Sequence, residues 1–440
     1  MSELSKRVES LSSAKRQLLE KYLKNKGIAP VGEISLNQTD NGLAGYFQNA
    51  LSPNFNHDRE PSVTFESSSK APERPRELSR KESRRYQINT PPTRRLPVKF
   101  PHDVTSYLHY FLSLAVILAD DRLLPWYYEN YVNIFATMDA YGQLRLDYLQ
   151  YEFSRSQFIT SVRTPYELLG DAPDIILYLI DKINRGYYAI VQADDYCLPA
   201  KECYQKEHAV RASLIYGYHD PERRLMALGF NQEHILADIT FDYDHFLEAY
   251  ESGRIYFRET APYAENHAIE LLKFRDHQRE YPFDLKRFLA GLDGYLSAAG
   301  DDSVVFSYGL SNDNIVYGFA VYDEVVRNLK NILDKRITVD YVVFHFLAEH
   351  KRGIFNRLRY AGSRYRIDGA LREMIEGYYP IVEQFEAIRL KSLELKYVAD
   401  SSGIMNLSKV IIETIEQINS AQAQERLLLE EISRQFKLLL

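Results

Sequence analysis

The segment from Gly186 to Asn231 constrains the fold most strongly, because it is the most strand-like part of a mostly helical chain. Tyr187 to Ala193 is rich in β-branched and aromatic residues, which is typical of a strand. Arg211 to Tyr218 is a second apolar run, and Leu225 to Phe230 returns after a short loop, which predicts a hairpin. These runs predict a small antiparallel sheet, and we expect any active site to lie beside it.

Composition and charge limit the classes of protein to which the chain can belong. Its 440 residues allow two or three domains, and 45% hydrophobic and 26% charged residues are ordinary for a globular protein. A formal charge of −7 argues against nucleic acid as the main partner. No apolar run has membrane-spanning length, and the first residues lack the apolar stretch of a secretory signal. With two cysteines only, these features predict a cytoplasmic protein without a disulfide framework.

Short groups of residues in a fixed order carry a resemblance to a known family. In the strand-like segment they are Gly186-Tyr187-Tyr188, Asp194 with Leu198-Pro199, Tyr204 with Lys206 and His208, and Leu214 to Tyr218. This pattern resembles the butirosin biosynthesis protein H-like family. Further matching groups near Tyr317, Phe344 and Leu393 extend the resemblance over roughly residues 98 to 440.

The resemblance implies both a fold and a role. The implied fold is α+β, with a papain-like (C39 peptidase-like) core that contains a small antiparallel sheet and is followed by an all-helical C-terminal region. The best-understood members of the family move an acyl group from a carrier protein to an amine, using a cysteine nucleophile. The resemblance therefore implies a role in a natural-product assembly line.

Changes in composition along the chain, together with what the resemblance implies, predict four segments. They are a helical docking segment at 1–27, a disordered linker at 28–96, a papain-like domain at 97–262 and a helical domain at 263–440. The linker is rich in Asn, Ser, Pro and Gly and then in basic residues, so it has too few large apolar side chains to fold by burial. Its Arg84-Arg85 and Arg94-Arg95 pairs could attract an acidic carrier protein, although a solvated tether is the preferred interpretation.

The first helices resemble the short linker that precedes condensation domains in nonribosomal peptide and polyketide synthetases. The residues that carry this resemblance are Leu11, Lys15, Arg16, Leu18, Leu19 and Leu23. The resemblance implies that they dock onto a synthetase or carrier protein. The alternative is a helix pair that folds back on its own chain, since so short a pair is not stable alone.

The positions at which the family pattern places its catalytic residues carry other residue types here. The nucleophile position, at the start of a helix predicted over His102–Ala119, holds Thr105 and Ser106. The position of the base histidine holds Arg211, which cannot act as a base near neutral pH. The position of the orienting aspartate matches Asn231, which could orient an imidazole if one were present.

Histidines and cysteines elsewhere in the chain are further candidates for catalytic or metal-binding roles. His208 is the nearest remaining imidazole and could pair with Ser106 as a displaced catalytic set. Cys197 and Cys203 lack the spacing of a zinc site, and packing is the preferred role for both. The two histidines His345 and His350 are five residues apart and do not share a helix face, which argues against a metal site with Glu349. The preferred interpretation is an exposed helical ion-pair cluster with Lys351 and Arg352.

Two functions follow from these observations. The first is a catalytically degenerate scaffold that binds a synthetase or carrier protein. The second is an active acyltransferase that uses a displaced catalytic set on a carrier-protein thioester. Neither requires a cofactor of its own, although contact with the phosphopantetheine arm of a carrier protein is expected in both.

Overall fold

The computed structural model describes most of the chain beyond residue 90 as two compact units. Unit 1 contains residues 98–161 and 274–440, and unit 2 contains residues 91–97 and 162–273. The described residues are 91–138, 143–149, 158–165, 175–260, 268–275, 280–300, 315–334, 337–367, 369–401 and 404–440. The predicted docking segment and all but the last six residues of the predicted linker lie outside them.

Unit 2 is built on a seven-stranded sheet, which is larger than the small sheet predicted. Its strands are β1 (Thr93–Arg95), β4 (Ile159–Pro165), β5 (Tyr188–Asp194), β6 (Val210–His219), β7 (Arg224–Phe230), β8 (Leu236–Asp242) and β9 (Ala268–Phe274). The strand order is β4-β9-β5-β6-β7-β8, and β1 pairs with β6. The pairs β5–β6, β6–β7 and β7–β8 are antiparallel, which confirms the predicted hairpin between β6 and β7.

Two helices, α3 (Ile175–Asn184) and α4 (Tyr243–Thr260), complete the described part of unit 2. Two sequence predictions are wrong here. From the sequence alone, Arg254–Glu259 is expected to be a strand and Ile269–Phe274 a helix. The first is the second half of α4, and the second is strand β9. A third departure lies at the end of the predicted linker, where Thr93–Arg95 pair with β6 instead of forming a solvated tether.

Unit 1 consists of helices and a three-stranded sheet. The sheet contains β2 (Ile134–Met138), β3 (Leu144–Tyr148) and β10 (Val316–Tyr317), in the order β10-β2-β3. The helices are α1 (Leu108–Ile117), α2 (Leu124–Glu129), α5 (Leu285–Ser297), α6 (Val321–Leu333), α7 (Val342–Arg364), α8 (Gly369–Glu376), α9 (Tyr379–Ser401) and α10 (Ile404–Lys437).

The start of helix α1 differs from the prediction in a way that matters for the site. The helix was predicted over His102–Ala119, but it begins at Leu108, with Tyr107 as its N-cap. Thr105 and Ser106 therefore lie in the segment that leads into the helix and are not its first residues. Eight of the ten residues of α1 are buried, so the prediction of a buried helix is confirmed.

The coarse fold class predicted from the sequence agrees with the structure. The chain combines helices with antiparallel sheets, and from Leu285 onward the described residues are helical apart from the two-residue strand β10. None of the helices in the described ranges is both long enough and apolar enough to cross a bilayer.

Candidate functional site

Thr105 and Ser106, at the predicted nucleophile position, both bind the carboxylate of Glu349. The Thr105 backbone N–H lies 3.0 Å from Glu349 Oε1, and the Ser106 backbone N–H lies 2.8 Å from Oε2. The side-chain hydroxyls of both residues also donate to this carboxylate. All three side chains are buried, and Glu349 is 1% exposed. We call these three residues, together with His345, the Glu349 cluster.

His345 lies one helical turn before Glu349 on α7, with its Nε2 atom 3.4 Å from Glu349 Oε1. Neither ring nitrogen of His345 has a hydrogen-bond partner in the described part of the chain. Burial raises the pKa of Glu349, but the charge of His345 and the hydrogen bonds from Ser106 and Thr105 outweigh it, and the pKa falls to about 2. Glu349 is therefore a stable carboxylate and a poor general base.

A second buried carboxylate, Asp103, lies just before the cluster along the chain. Tyr127 donates its hydroxyl to Asp103, and Asn356 donates from Nδ2 at 3.1 Å. The guanidinium of Arg357, which is fully buried on α7, lies 3.4 Å from Asp103 and donates to the Gly353 carbonyl at 2.8 Å. The segment leading into α1 is thus attached to α7 by two buried acidic groups.

Helix α7 was predicted to carry an exposed ion-pair cluster, and this prediction is wrong. His345, Glu349, His350 and Lys351 are each at most 1% exposed. Lys351 lies 3.0 Å from Glu425 of α10, and its ammonium donates to the Nδ1 atom of His350 at 3.0 Å. Burial lowers the pKa of both Lys351 and His350. The sequence offered one usable signal, because His345 and Glu349 are four residues apart and share a helix face.

In unit 2 the predicted base position, Arg211, belongs to a buried charged cluster. Arg211 Nη1 lies 3.4 Å from Asp195 Oδ2, and Lys201 Nζ lies 3.7 Å from Asp195 Oδ1. Lys201 also donates to Ser213 Oγ at 3.0 Å. A Cβ atom at Gly229 would lie 2.8 Å from Lys201 Nζ and 3.0 Å from Ser213 Oγ, so a larger residue there would displace the ammonium. Burial raises the pKa of Asp195 and lowers that of Lys201.

His208 lies at the surface of unit 2 and is held by a buried carboxylate. Its Nδ1 atom is 2.6 Å from Asp194 Oδ2, while its side chain is 64% exposed and stacks on Tyr196. Asp194 also accepts from the Ser252 hydroxyl at 2.6 Å and from the Ala209 backbone N–H at 3.1 Å. The imidazole is thus oriented by a carboxylate, as a general base requires. Ser106 belongs to the other compact unit.

Asn231 uses its side chain within its own loop. Its Oδ1 atom accepts from the backbone N–H groups of Glu233 at 3.0 Å and Ile235 at 2.8 Å. This arrangement closes the turn between β7 and β8. The amide oxygen therefore orients backbone and not an imidazole.

The two cysteines are free and buried, and they face carboxylates. Burial is the main cause that raises the pKa of Cys197 to about 12, and the charges of Asp194 and Glu248 add to it. Burial likewise raises the pKa of Cys203 to about 11. Neither thiol has the environment of an activated nucleophile.

Comparison with known proteins adds no family or relative to this description. No protein-family model matches the chain, and no curated protein matches it either. Within the described ranges, no group of three or more His, Cys, Asp and Glu side chains is arranged to hold a metal ion.

Proposed function

We propose that the chain is a non-catalytic component of a nonribosomal peptide or polyketide-type assembly line, and that it binds a carrier protein or synthetase. In this proposal the core is papain-like and has lost its catalytic groups. The single observation that supports it best is the Glu349 cluster. The carboxylate of Glu349 accepts hydrogen bonds from both backbone N–H groups and both hydroxyls at the expected nucleophile position.

The chemistry of acyl transfer explains why this observation supports a non-catalytic role. The reaction needs a nucleophile beside a base, and free donors that stabilise the developing oxyanion. Ser106 is 2% exposed and donates to a carboxylate whose pKa is about 2, so it has no base to accept its proton. The Ser106 backbone N–H is already bonded to the same carboxylate and is not free for an oxyanion.

The second candidate function is an active acyltransferase, and one observation favours it. His208 is exposed and is oriented by Asp194, which is the arrangement of a functional base. The cysteines do not supply its nucleophile, because their pKa values are raised to about 12 and about 11. Ser252 supplies a hydroxyl close to the pair of His208 and Asp194. It donates its hydrogen bond to Asp194 and not to the imidazole of His208.

An acyl-transfer assay distinguishes the two functions. The full chain is incubated with an acyl-loaded carrier protein and a panel of amines, and the acyl product is measured by mass spectrometry. The proposal expects binding of the carrier protein without transfer above the uncatalysed rate. Transfer that is lost in His208→Ala or Ser106→Ala, and retained in the control His245→Ala on the surface of α4, would show that the chain is an enzyme.

The proposed docking role of residues 1–27 has a separate test. The chain is expressed with and without these residues, together with a candidate synthetase or carrier protein, and co-purification is measured. We expect deletion to abolish co-purification while the melting temperature changes little. A large fall in melting temperature would mean that the segment belongs to the folded core and would contradict the docking role.

A further inference from the structure

A groove on unit 2 lies between the flank of helix α3 and the outer strands β4 and β9. Its volume is about 550 Å³, which is within the range of small-molecule binding sites. Leu271 of β9 and Val162 of β4 form part of its floor, and Val162 is 43% exposed. Strand β4 is the last strand in the described order of the sheet, and no other described strand pairs with its outer edge. We call this site the Lys273 groove.

The lining of the Lys273 groove is positively charged although the chain as a whole carries −7. Lys182 and Arg185 come from the end of α3, and Lys273 comes from β9. Among the described residues, no carboxylate is part of the lining. Asp181 is the one acidic neighbour that pairs with these cations in the described residues, at 3.6 Å from Lys182 and 2.9 Å from Arg185. Two of the three cations therefore share one carboxylate, and the described lining keeps a positive excess.

Two tyrosines hold the lysines in place. The ammonium of Lys182 lies 4.9 Å from the ring centroid of Tyr178, and that of Lys273 lies 4.9 Å from the centroid of Tyr187. A cation over an aromatic ring is positioned without being neutralised, so both charges remain available to a ligand. The tyrosine hydroxyls add polar groups beside the apolar floor.

We propose that the Lys273 groove binds a phosphate ester. A phosphate monoester carries close to two negative charges near neutral pH, and the phosphodiester of a carrier-protein arm carries one. Both offer acceptor oxygens to the charge excess of Lys182, Arg185 and Lys273. The organic part of the ester lies on Leu271 and Val162 and against the tyrosine rings. Two sources carry this chemistry: a free phosphorylated metabolite, or the phosphate-linked arm of a carrier protein. The inference stands independently of the proposed function.

Calorimetric titration of the full chain tests the proposal and separates the two sources. The probes are inorganic phosphate, adenosine 5′-monophosphate and 4′-phosphopantetheine. We expect at least one ester to bind more tightly than inorganic phosphate, with an affinity that falls as sodium chloride is added. Binding of 4′-phosphopantetheine alone identifies the carrier arm, and binding of both esters identifies a general site for phosphate esters. Failure of both esters to bind at millimolar concentration overturns the proposal.

Matched variants locate the binding. Lys182→Gln/Lys273→Gln removes two charges from the groove, and Lys206→Gln/Arg224→Gln removes two exposed charges elsewhere on the same unit. We expect the groove variant to bind the ester about a hundredfold more weakly, since each charged contact contributes about tenfold. The control should bind as the unmodified chain does.

The folded state of each variant is checked by its melting temperature. If the double variant is unstable, Lys273→Gln alone is compared with Lys206→Gln, and about a tenfold loss is expected. If the ester binds equally well to the groove variant and to its control, its binding site lies elsewhere on the chain. This result overturns the proposal.

Discussion

The carboxylate of Glu349 should make the stability of unit 1 depend on pH in the acid range. The pKa of Glu349 is lowered from 4.5 to about 2 in the folded chain. A carboxylate with a lowered pKa contributes its full stabilisation above the unfolded pKa and loses it as the pH falls through the folded pKa. The window is therefore from 4.5 down to about 2, and stability should fall across it.

The size of this contribution follows from the two pKa values. They differ by about 2.5, and at ~1.36 kcal/mol for each pKa unit the carboxylate contributes about 3 kcal/mol to the free energy of unfolding at neutral pH. Glu349 is 1% exposed, so solvent screens this interaction little. Glu349→Gln keeps the shape of the side chain but removes its charge, and it should lower the free energy of unfolding by about the same ~3 kcal/mol.

The assay uses urea unfolding followed by the fluorescence of Trp126, which is the single tryptophan of the chain and lies in unit 1. Unmodified chain and Glu349→Gln are compared at neutral pH and at intervals from pH 4.5 down to about 2. The two free energies should converge as the pH falls. Glu383→Gln, which removes an exposed carboxylate on α9, is the control and should show no such convergence.

The difference between variant and unmodified chain is the decisive quantity, since other carboxylates titrate in both. A difference that stays constant with pH would show that the carboxylate charge contributes nothing and that Glu349 acts only through its shape. Glu349→Gln that is as stable as the unmodified chain at neutral pH would refute the reasoning altogether. It would also remove the main support for a non-catalytic nucleophile position.

Three further predictions concern other buried groups. Burial raises the pKa of Asp147 to about 7 from 3.8, so unmodified chain should lose about 4 kcal/mol of stability as the pH rises between these values, and Asp147→Asn should remove this slope in urea unfolding. Cys197 and Cys203, with pKa values raised to about 12 and about 11, should react with a thiol reagent at mildly alkaline pH only after unfolding, and fast labelling of the native chain would contradict their burial. Gly217→Ala would place a Cβ atom 2.8 Å from the Arg94 carbonyl oxygen, so we expect the free energy of unfolding to fall by about 2 kcal/mol. We also expect faster hydrogen exchange in β1, and unchanged exchange there would contradict this prediction.

Local sequence patterns predicted the centre of the sheet well and its outer strands poorly. The hairpin of β6 and β7 is local, and its β-branched residues and turn signals are close together along the chain. Strand β9 pairs with β5, which lies about 80 residues earlier, and its heptapeptide has no turn signal of its own. Alternating apolar residues at Ile255 and Phe257 suggested a strand, but this segment continues α4.

The candidate site could be predicted only in part, because its partners are far apart in sequence. The resemblance points to Thr105 and Ser106, but their partner Glu349 lies 244 residues from Thr105. Lysine is rarely fully buried, so neither Lys201 nor Lys351 was expected in the interior. Each is buried beside a carboxylate that only the tertiary structure brings near it.

The two buried clusters suggest why a single substitution would not turn this chain into a thiol acyltransferase. A cysteine at Ser106 would be buried against Glu349, and burial and a neighbouring carboxylate both raise the pKa of a thiol. A histidine at Arg211 would leave Asp195 with Lys201 as its remaining cation within a buried site. Each expected catalytic position thus takes part in an ion-pair or hydrogen-bond network of its own unit, and removing one partner of a buried pair typically costs ~3–5 kcal/mol. Stability therefore opposes the introduction of catalytic groups at these positions, whereas a binding role leaves both networks intact.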